Sequence, residues 1–116
     1  MTTVTIWHNP RCSKSRQTLA LIEGKGIRPE VVEYLKTPPS REDVARVVQL
    51  LGVSPIDLMR KGETVYKELE IEVRPLGDDE LIAAMAANPI LIERPVVIAN
   101  GKAALGRPPE NVLGIL

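Results

Sequence analysis

The sequence predicts an α/β fold in which a mixed sheet of about four strands is flanked by helices. Three observations point there: a β-α-β opening, a strand–Asn-Gly–strand hairpin near the end, and a run of helical segments between them. Each element can be justified from its residues in turn.

TTVTIWH, from Thr2 to His8, is β-branched and aromatic with Val4 and Ile6 on one face, and reads as a first strand. The turn NPRC follows. SKSRQTLALIE, from Ser13 to about Glu23, then places Leu19, Leu21 and Ile22 on a helical face, and Gly24 and Gly26 supply the stop. PEVVEYL reads as a second strand. KTPP interrupts the chain before Ser40, a good N-cap with Asp43 three residues on, and the helix REDVARVVQLL runs from there to Gly52.

In the middle third, SPIDLMRKG begins with an N-cap serine and a proline at the first helical position, which predicts a short helix holding Arg60 near its end. ETVYKELEI is a second short candidate. After RPLG, Asp78 or Asp79 is expected to cap DELIAAMAAN, whose Leu81, Ile82 and Met85 follow a helical spacing until Asn88 and Pro89 end it. RPVVIA and KAALG flank the hairpin signal Asn100-Gly101 as third and fourth strands, and RPPENVLGIL starts a final short helix. Parallel strands joined through a helix, followed by a hairpin, with the usual right-handed crossover, give a thioredoxin-like order. The helical insert between strands two and three is larger than a minimal version of that fold needs. One domain over residues 1–116 is expected at this length.

Composition narrows the function classes. Hydrophobic residues at 44% and charged residues at 26% suit a globular protein rather than a disordered one. Fifteen Lys and Arg balance fifteen Asp and Glu, so no global field marks a nucleic-acid or membrane binder, and any useful charge must be local. No apolar run is long enough to span a bilayer, and MTTVTIWHNP lacks the basic-then-apolar order of a signal peptide, which makes a cytoplasmic setting the expectation. The expected assembly is a monomer. The single cysteine, Cys12, has no partner for an internal disulfide, and in reducing cytoplasm it would stay free.

Cys12 is also where the chemistry concentrates. In IWHNPRCSKSR it stands at a predicted helix start, where the backbone dipole and nearby cations favour the thiolate and lower the pKa from about 8.5. Free cysteines are usually small core residues; one that follows Pro10 and is flanked by Arg11 and Ser13 in a loop reads instead as a nucleophile. Unpaired backbone N–H groups at that helix start, with the hydroxyls of Ser13 and Ser15, could cradle an anion. His8 is placed to donate to the thiolate or to orient the loop, and Arg11, Lys14 and Arg16 add positive potential, although Lys14 reads as solvated on the helix face.

Other chemistries fall away. The phosphatase loop needs an arginine six residues after its cysteine, and Thr18 stands there; one Cys and one His cannot supply a usual structural zinc site; no Gly-rich nucleotide loop is present; and Ser15 occupies the second position of a C-x-x-C pair. No metal and no bound cofactor are expected. Farther along, Arg94 precedes Pro95 at a strand start, and that proline is a candidate for a cis bond aiming neighbouring backbone groups at the first loop. Arg107 follows the fourth strand. Singly, Arg60, Arg94 and Arg107 read as surface residues; gathered by the fold, they would form a clamp of planar donors for a tetrahedral oxyanion.

HNPRCSKSRQTL, YLKTPPSRED, LMRKG, NPILIERPVVI and LGRPPENVL together resemble the glutaredoxin-dependent arsenate reductase (ArsC) family, a thioredoxin-fold group, across nearly the whole chain. Ser13-Lys14 stands where the best-studied reductases of the family carry Gly-Thr, so the match is to a subgroup with Cys-Ser-Lys-Ser at the active site. The resemblance implies that Cys12 attacks the arsenic of arsenate, that Arg60, Arg94 and Arg107 bind the oxyanion and its thiol adduct, and that His8 and Ser15 help to lower the cysteine pKa. Arg16 is grouped with them as a support. It further implies glutathione as co-substrate and glutaredoxin as protein partner. The lone thiol agrees independently, since a two-electron reduction by thiols must then draw on a thiol from outside the chain. The alternatives are a reductase of another oxyanion or thiol substrate, or a regulatory module like the Spx-type partners of RNA polymerase. Those regulators commonly carry C-x-x-C and lack the full arginine set.

Overall fold

The computed structural model describes residues 3–71 and 73–116. Thr2, the first residue of the predicted opening strand, lies outside them. The chain divides into two compact units, Met1–Thr37 with Arg94–Leu116, and Pro38–Glu93.

The first unit holds the sheet. Its strands are β1 (Thr5–Trp7), β2 (Glu30–Val32), β3 (Val96–Ala99) and β4 (Lys102–Leu105), in the order β2-β1-β3-β4. β1 runs parallel to β2 and antiparallel to β3, and β3 and β4 form the hairpin. This is the mixed sheet of a thioredoxin-like fold. The hairpin turns where Asn100 and Gly101 both take positive φ, 55° and 70°, the pairing of dihedrals that matches the twist of the flanking strands.

Helix α1 (Ser13–Gly24) connects β1 to β2. Strand alternation puts Val4, Ile6, Val97 and Ala99 on one face, where they pack with Ile22 of α1 and Val112 of the closing 3-10 segment Pro109–Ile115. Leu19 joins that cluster and Leu21 is only half-buried. The buried stripe of α1 is Ser15, Thr18 and Ile22, so its first two turns bury polar side chains beside the loop that carries Cys12.

The second unit is the insert between β2 and β3. It contains α2 (Arg41–Leu51), a 3-10 turn at Pro55–Leu58, α3 (Thr64–Glu68) and α4 (Asp78–Ala87), followed by a second 3-10 turn at Pro89–Leu91. Val44, Val47 and Val48 of α2 and Leu81 and Met85 of α4 are buried where those helices pack together. Ser40 caps α2 as the sequence predicts, its hydroxyl accepting from the Asp43 N–H at 3.1 Å while Asp43 accepts from the Ser40 N–H at 3.2 Å. The start of α4 differs from expectation. Gly77 is the N-cap, and Asp78 and Asp79 lie inside the first turn, where their charge opposes the positive helix end. Among the described residues, no helix is long and apolar enough to cross a membrane.

Candidate active site

Cys12 is the N-cap of α1, with extended backbone at φ −94° and ψ 123°. The preceding turn is built by Asn9. Its carbonyl accepts from the Cys12 N–H and its side-chain oxygen from the Arg11 N–H, each at 3.0 Å, the local bonding that makes asparagine a good turn residue. Arg16 closes the same loop from the helix, donating Nη1 to the Pro10 carbonyl at 2.9 Å.

Behind the loop lies a buried polar pair. The His8 N–H donates to Val32 O at 2.8 Å, which continues the β1–β2 pairing by one residue and fixes the ring at the end of the strand. His8 Nδ1 sits 2.6 Å from Ser15 Oγ, and the same oxygen accepts the Asn9 N–H at 3.0 Å. The Ser15 hydroxyl is thus engaged by His8 and Asn9, and what Ser15 presents to Cys12 is its backbone N–H. Burial pushes the His8 pKa down and the charge of Arg16 adds to that; Glu33 and Glu23 pull the other way without overcoming it, so the site favours the neutral imidazole.

Cys12 is 8% exposed. Burial alone would push its pKa up, but the Ser15 N–H, the Arg94 charge, the Lys14 N–H and the Arg107 charge together hold it below the ordinary cysteine value. Lys14 therefore acts on the sulfur through its backbone, and its side chain is exposed as the sequence indicates.

Arg94 and Arg107 face each other just beyond the β3–β4 ladder. Val96 pairs with Leu105, the Gly106 N–H donates to Pro95 O at 2.9 Å, and Arg107 Nε donates to Arg94 O at 2.8 Å. Asn111 Nδ2 donates to the Arg107 carbonyl at 3.0 Å and secures the far side of that turn. Both Arg94–Pro95 and Arg107–Pro108 are cis. The sequence singled out the first of these bonds and not the second.

Arg60 belongs to the Pro38–Glu93 unit. The 3-10 turn ends at Leu58, Met59 bridges to Ile92, and the Arg60 N–H donates to Leu91 O at 2.7 Å, so Arg60 lies past the turn rather than within it. Its guanidinium pairs with Glu63 at 2.6 Å.

The first unit thus places a thiol held below its ordinary pKa, the backbone N–H groups at the start of α1 and two guanidinium groups together, an arrangement suited to nucleophilic attack on the central atom of an anion. The ArsC family profile matches residues 7–115. The chain belongs to the ArsC family. It is 48% identical to an arsenate reductase of Neisseria meningitidis serogroup A over 117 residues, covering 100% of both chains. It is 52% identical to the uncharacterized protein YfgD of Escherichia coli strain K12, over 97% of this chain and 96% of that one. Among solved structures, the arsenate reductase from Vibrio cholerae superposes with a TM-score of 0.95 at 54% identity, over 99% of this chain and 98% of that one.

Within this ArsC-family chain, Cys12, His8, Ser15, Arg16, Arg94 and Arg107, all named from the sequence, lie in the first unit and Arg60 in the second; two further residues organise the loop and helix start and were not named as site residues. Asn9 organises the loop through its side chain, and the Asn-Pro dipeptide was the available signal. The second is Thr18, fully buried, whose hydroxyl donates to the Lys14 carbonyl at 2.8 Å. Nothing in its local sequence separates it from any mid-helix threonine.

Proposed function

We propose that the protein reduces arsenate to arsenite, with Cys12 as the nucleophile, glutathione as co-substrate and glutaredoxin as protein partner. The observation that carries this reading is the single thiol at the start of α1, held toward its thiolate form by backbone N–H groups and by Arg94 and Arg107. Membership of the ArsC family and the arsenate reductases among its full-length relatives support arsenate as the anion.

In this reading Arg60, Arg94 and Arg107 bind the oxyanion, with Arg60 assigned by the family resemblance. Cys12 attacks arsenic(V), a sulfur–arsenic bond forms, and one arsenate oxygen takes up protons and leaves as water. Glutathione adds through its own sulfur and displaces a second oxygen as water. A glutaredoxin thiolate then takes the glutathionyl sulfur as a mixed disulfide, and the electron pair of the broken arsenic–sulfur bond remains on the metalloid as arsenic(III). Water cleaves the Cys12–arsenic bond, releasing arsenite and regenerating the thiol. Two outside thiols are oxidised to one disulfide, arsenic gains two electrons, and Cys12 returns unchanged. His8 and Ser15 keep the loop and the Ser15 N–H in place, while Arg16 ties the loop to the helix.

The test is NADPH oxidation coupled through glutathione reductase, with arsenate, glutathione and glutaredoxin present, beside Cys12→Ser. Arsenate-dependent turnover in the wild type alone is expected. Equal rates in the two proteins, or none in either, would exclude arsenate. Turnover that survives the omission of glutaredoxin would exclude that partner.

A further inference from the structure

Gly106 has no positive φ to explain it, yet it has no room for a side chain. A Cβ there would overlap the Thr18 hydroxyl, come within 2.7 Å of Pro95 Cγ and lie 3.0 Å from Thr18 Cγ2. None of these atoms is the free end of a long side chain. Thr18 is fully buried and tied to the Lys14 carbonyl, and Pro95 is a buried ring. The backbone of the β4 end therefore lies directly against the second turn of α1. One residue on, Arg107 Nε donates to Arg94 O, and the Gly106 N–H itself donates to Pro95 O.

We propose that Gly106 and Thr18 set the spacing between the N-terminal end of α1 and the two arginine-bearing turns, and are positioning residues for Cys12. The proposal deepens the arsenate reading, because the cations so placed are the ones that reading uses. Its deciding readout, the titration of the thiol, needs no arsenate. A guanidinium acts on the thiolate through distance, so a methyl group wedged between Thr18 and residue 106 must move Arg107, Arg94 or the helix start and weaken that effect. It also explains Thr18 at the position where a phosphatase loop would carry its arginine. A compact side chain is required there, because the strand end passes directly over it.

The experiment is the pH dependence of Cys12 alkylation in the wild type, Gly106→Ala and the double variant Thr18→Ala with Gly106→Ala, with thermal melting as the measure of folding. Gly106→Ala is expected to raise the alkylation midpoint by roughly half a unit to one unit, with a parallel rise in the arsenate KM. The double variant removes both Thr18 atoms that the new methyl meets and should return about half of the shift or more. A folded Gly106→Ala with the wild-type midpoint, or a rise that Thr18→Ala does not reduce, overturns the proposal. If Gly106→Ala fails to fold, the double variant decides: folded with a midpoint near wild type it supports the spacing role, and failing as well it overturns it. A chain inactive on arsenate that still shows the shift and its reversal removes the arsenate reading and leaves the positioning role standing.

Discussion

Helices α1 and α2 begin in opposite ways. α2 starts as a helix does when only stability matters: Ser40 caps it, Asp43 completes the reciprocal bond, and Glu42 with Asp43 puts negative charge in the first turn. α1 starts with a cysteine, has no side-chain capping bond and carries no acid in its first turn, while Lys14 and Arg16 add positive charge to an end that is already positive. The same backbone groups that α2 satisfies internally are left by α1 to act on the Cys12 sulfur. Under the proposed function, the difference marks where this chain gives up local stability for reactivity, a pattern common at active sites.

The comparison can be broken in graded ways. The largest effect is expected from Cys12→Ser, which makes α1 begin like α2. Arsenate reduction should fall by more than about a thousandfold, while stability in urea stays within about 1 kcal/mol, because serine is a good N-cap. A parallel collapse of stability would mean that Cys12 is a core residue first.

Arg94→Ala and Arg107→Ala should each raise the midpoint of Cys12 alkylation, by several tenths of a unit up to about one unit, with Arg94 the larger since its charge weighs more on the thiol. High salt should reproduce part of the Arg107 effect, because that side chain is exposed. Unchanged midpoints would leave the backbone N–H groups as the only support of the thiolate.

At α2, Ser40→Ala should cost about 1 kcal/mol in chemical denaturation and leave the thiol titration where it was. A shifted titration would show that the two helix starts are not independent.

The smallest expected effect is on the pH dependence of stability. Folding lowers the His8 pKa below its ordinary 6.5, so on acidification the unfolded chain takes up a proton before the folded one does. The corresponding stability is present above about 6.5 and is lost as pH falls toward the folded value. The wild-type melting temperature should therefore drop more between pH 7.5 and pH 5.5 than that of His8→Asn. Equal drops would place the acid sensitivity elsewhere.

Much of this molecule was legible in its residues, and the reasons are local. Ser40 with Asp43, Asn100-Gly101, Pro55 after Ser54 and the β-branched runs each carry their own instruction, because capping and turn formation depend on neighbours a few positions away. The start of α4 misled: two aspartates are better cap formers than glycine, but Gly77 takes the position, its N–H facing Glu80 Oε1 at 3.5 Å. On α1, the apolar Leu21 is only half-buried, while Ser15 and Thr18 are fully buried. Periodicity ranks residues by hydrophobicity and cannot see that a buried serine is satisfied by a histidine seven positions earlier.

The sequence by itself determined the order of elements and the lone thiol at a helix start, because these depend on residue identity and short-range geometry; the outside thiols of the proposed reaction follow from that lone thiol. Only the tertiary structure decided which groups act on Cys12. It joined Arg94 to Arg107 across the hairpin end, committed the Ser15 hydroxyl to His8 and Asn9, and laid Gly106 against Thr18. Those pairings span from a few to almost ninety positions of chain, and the longer ones form because the sheet places its neighbours by register rather than by proximity in sequence.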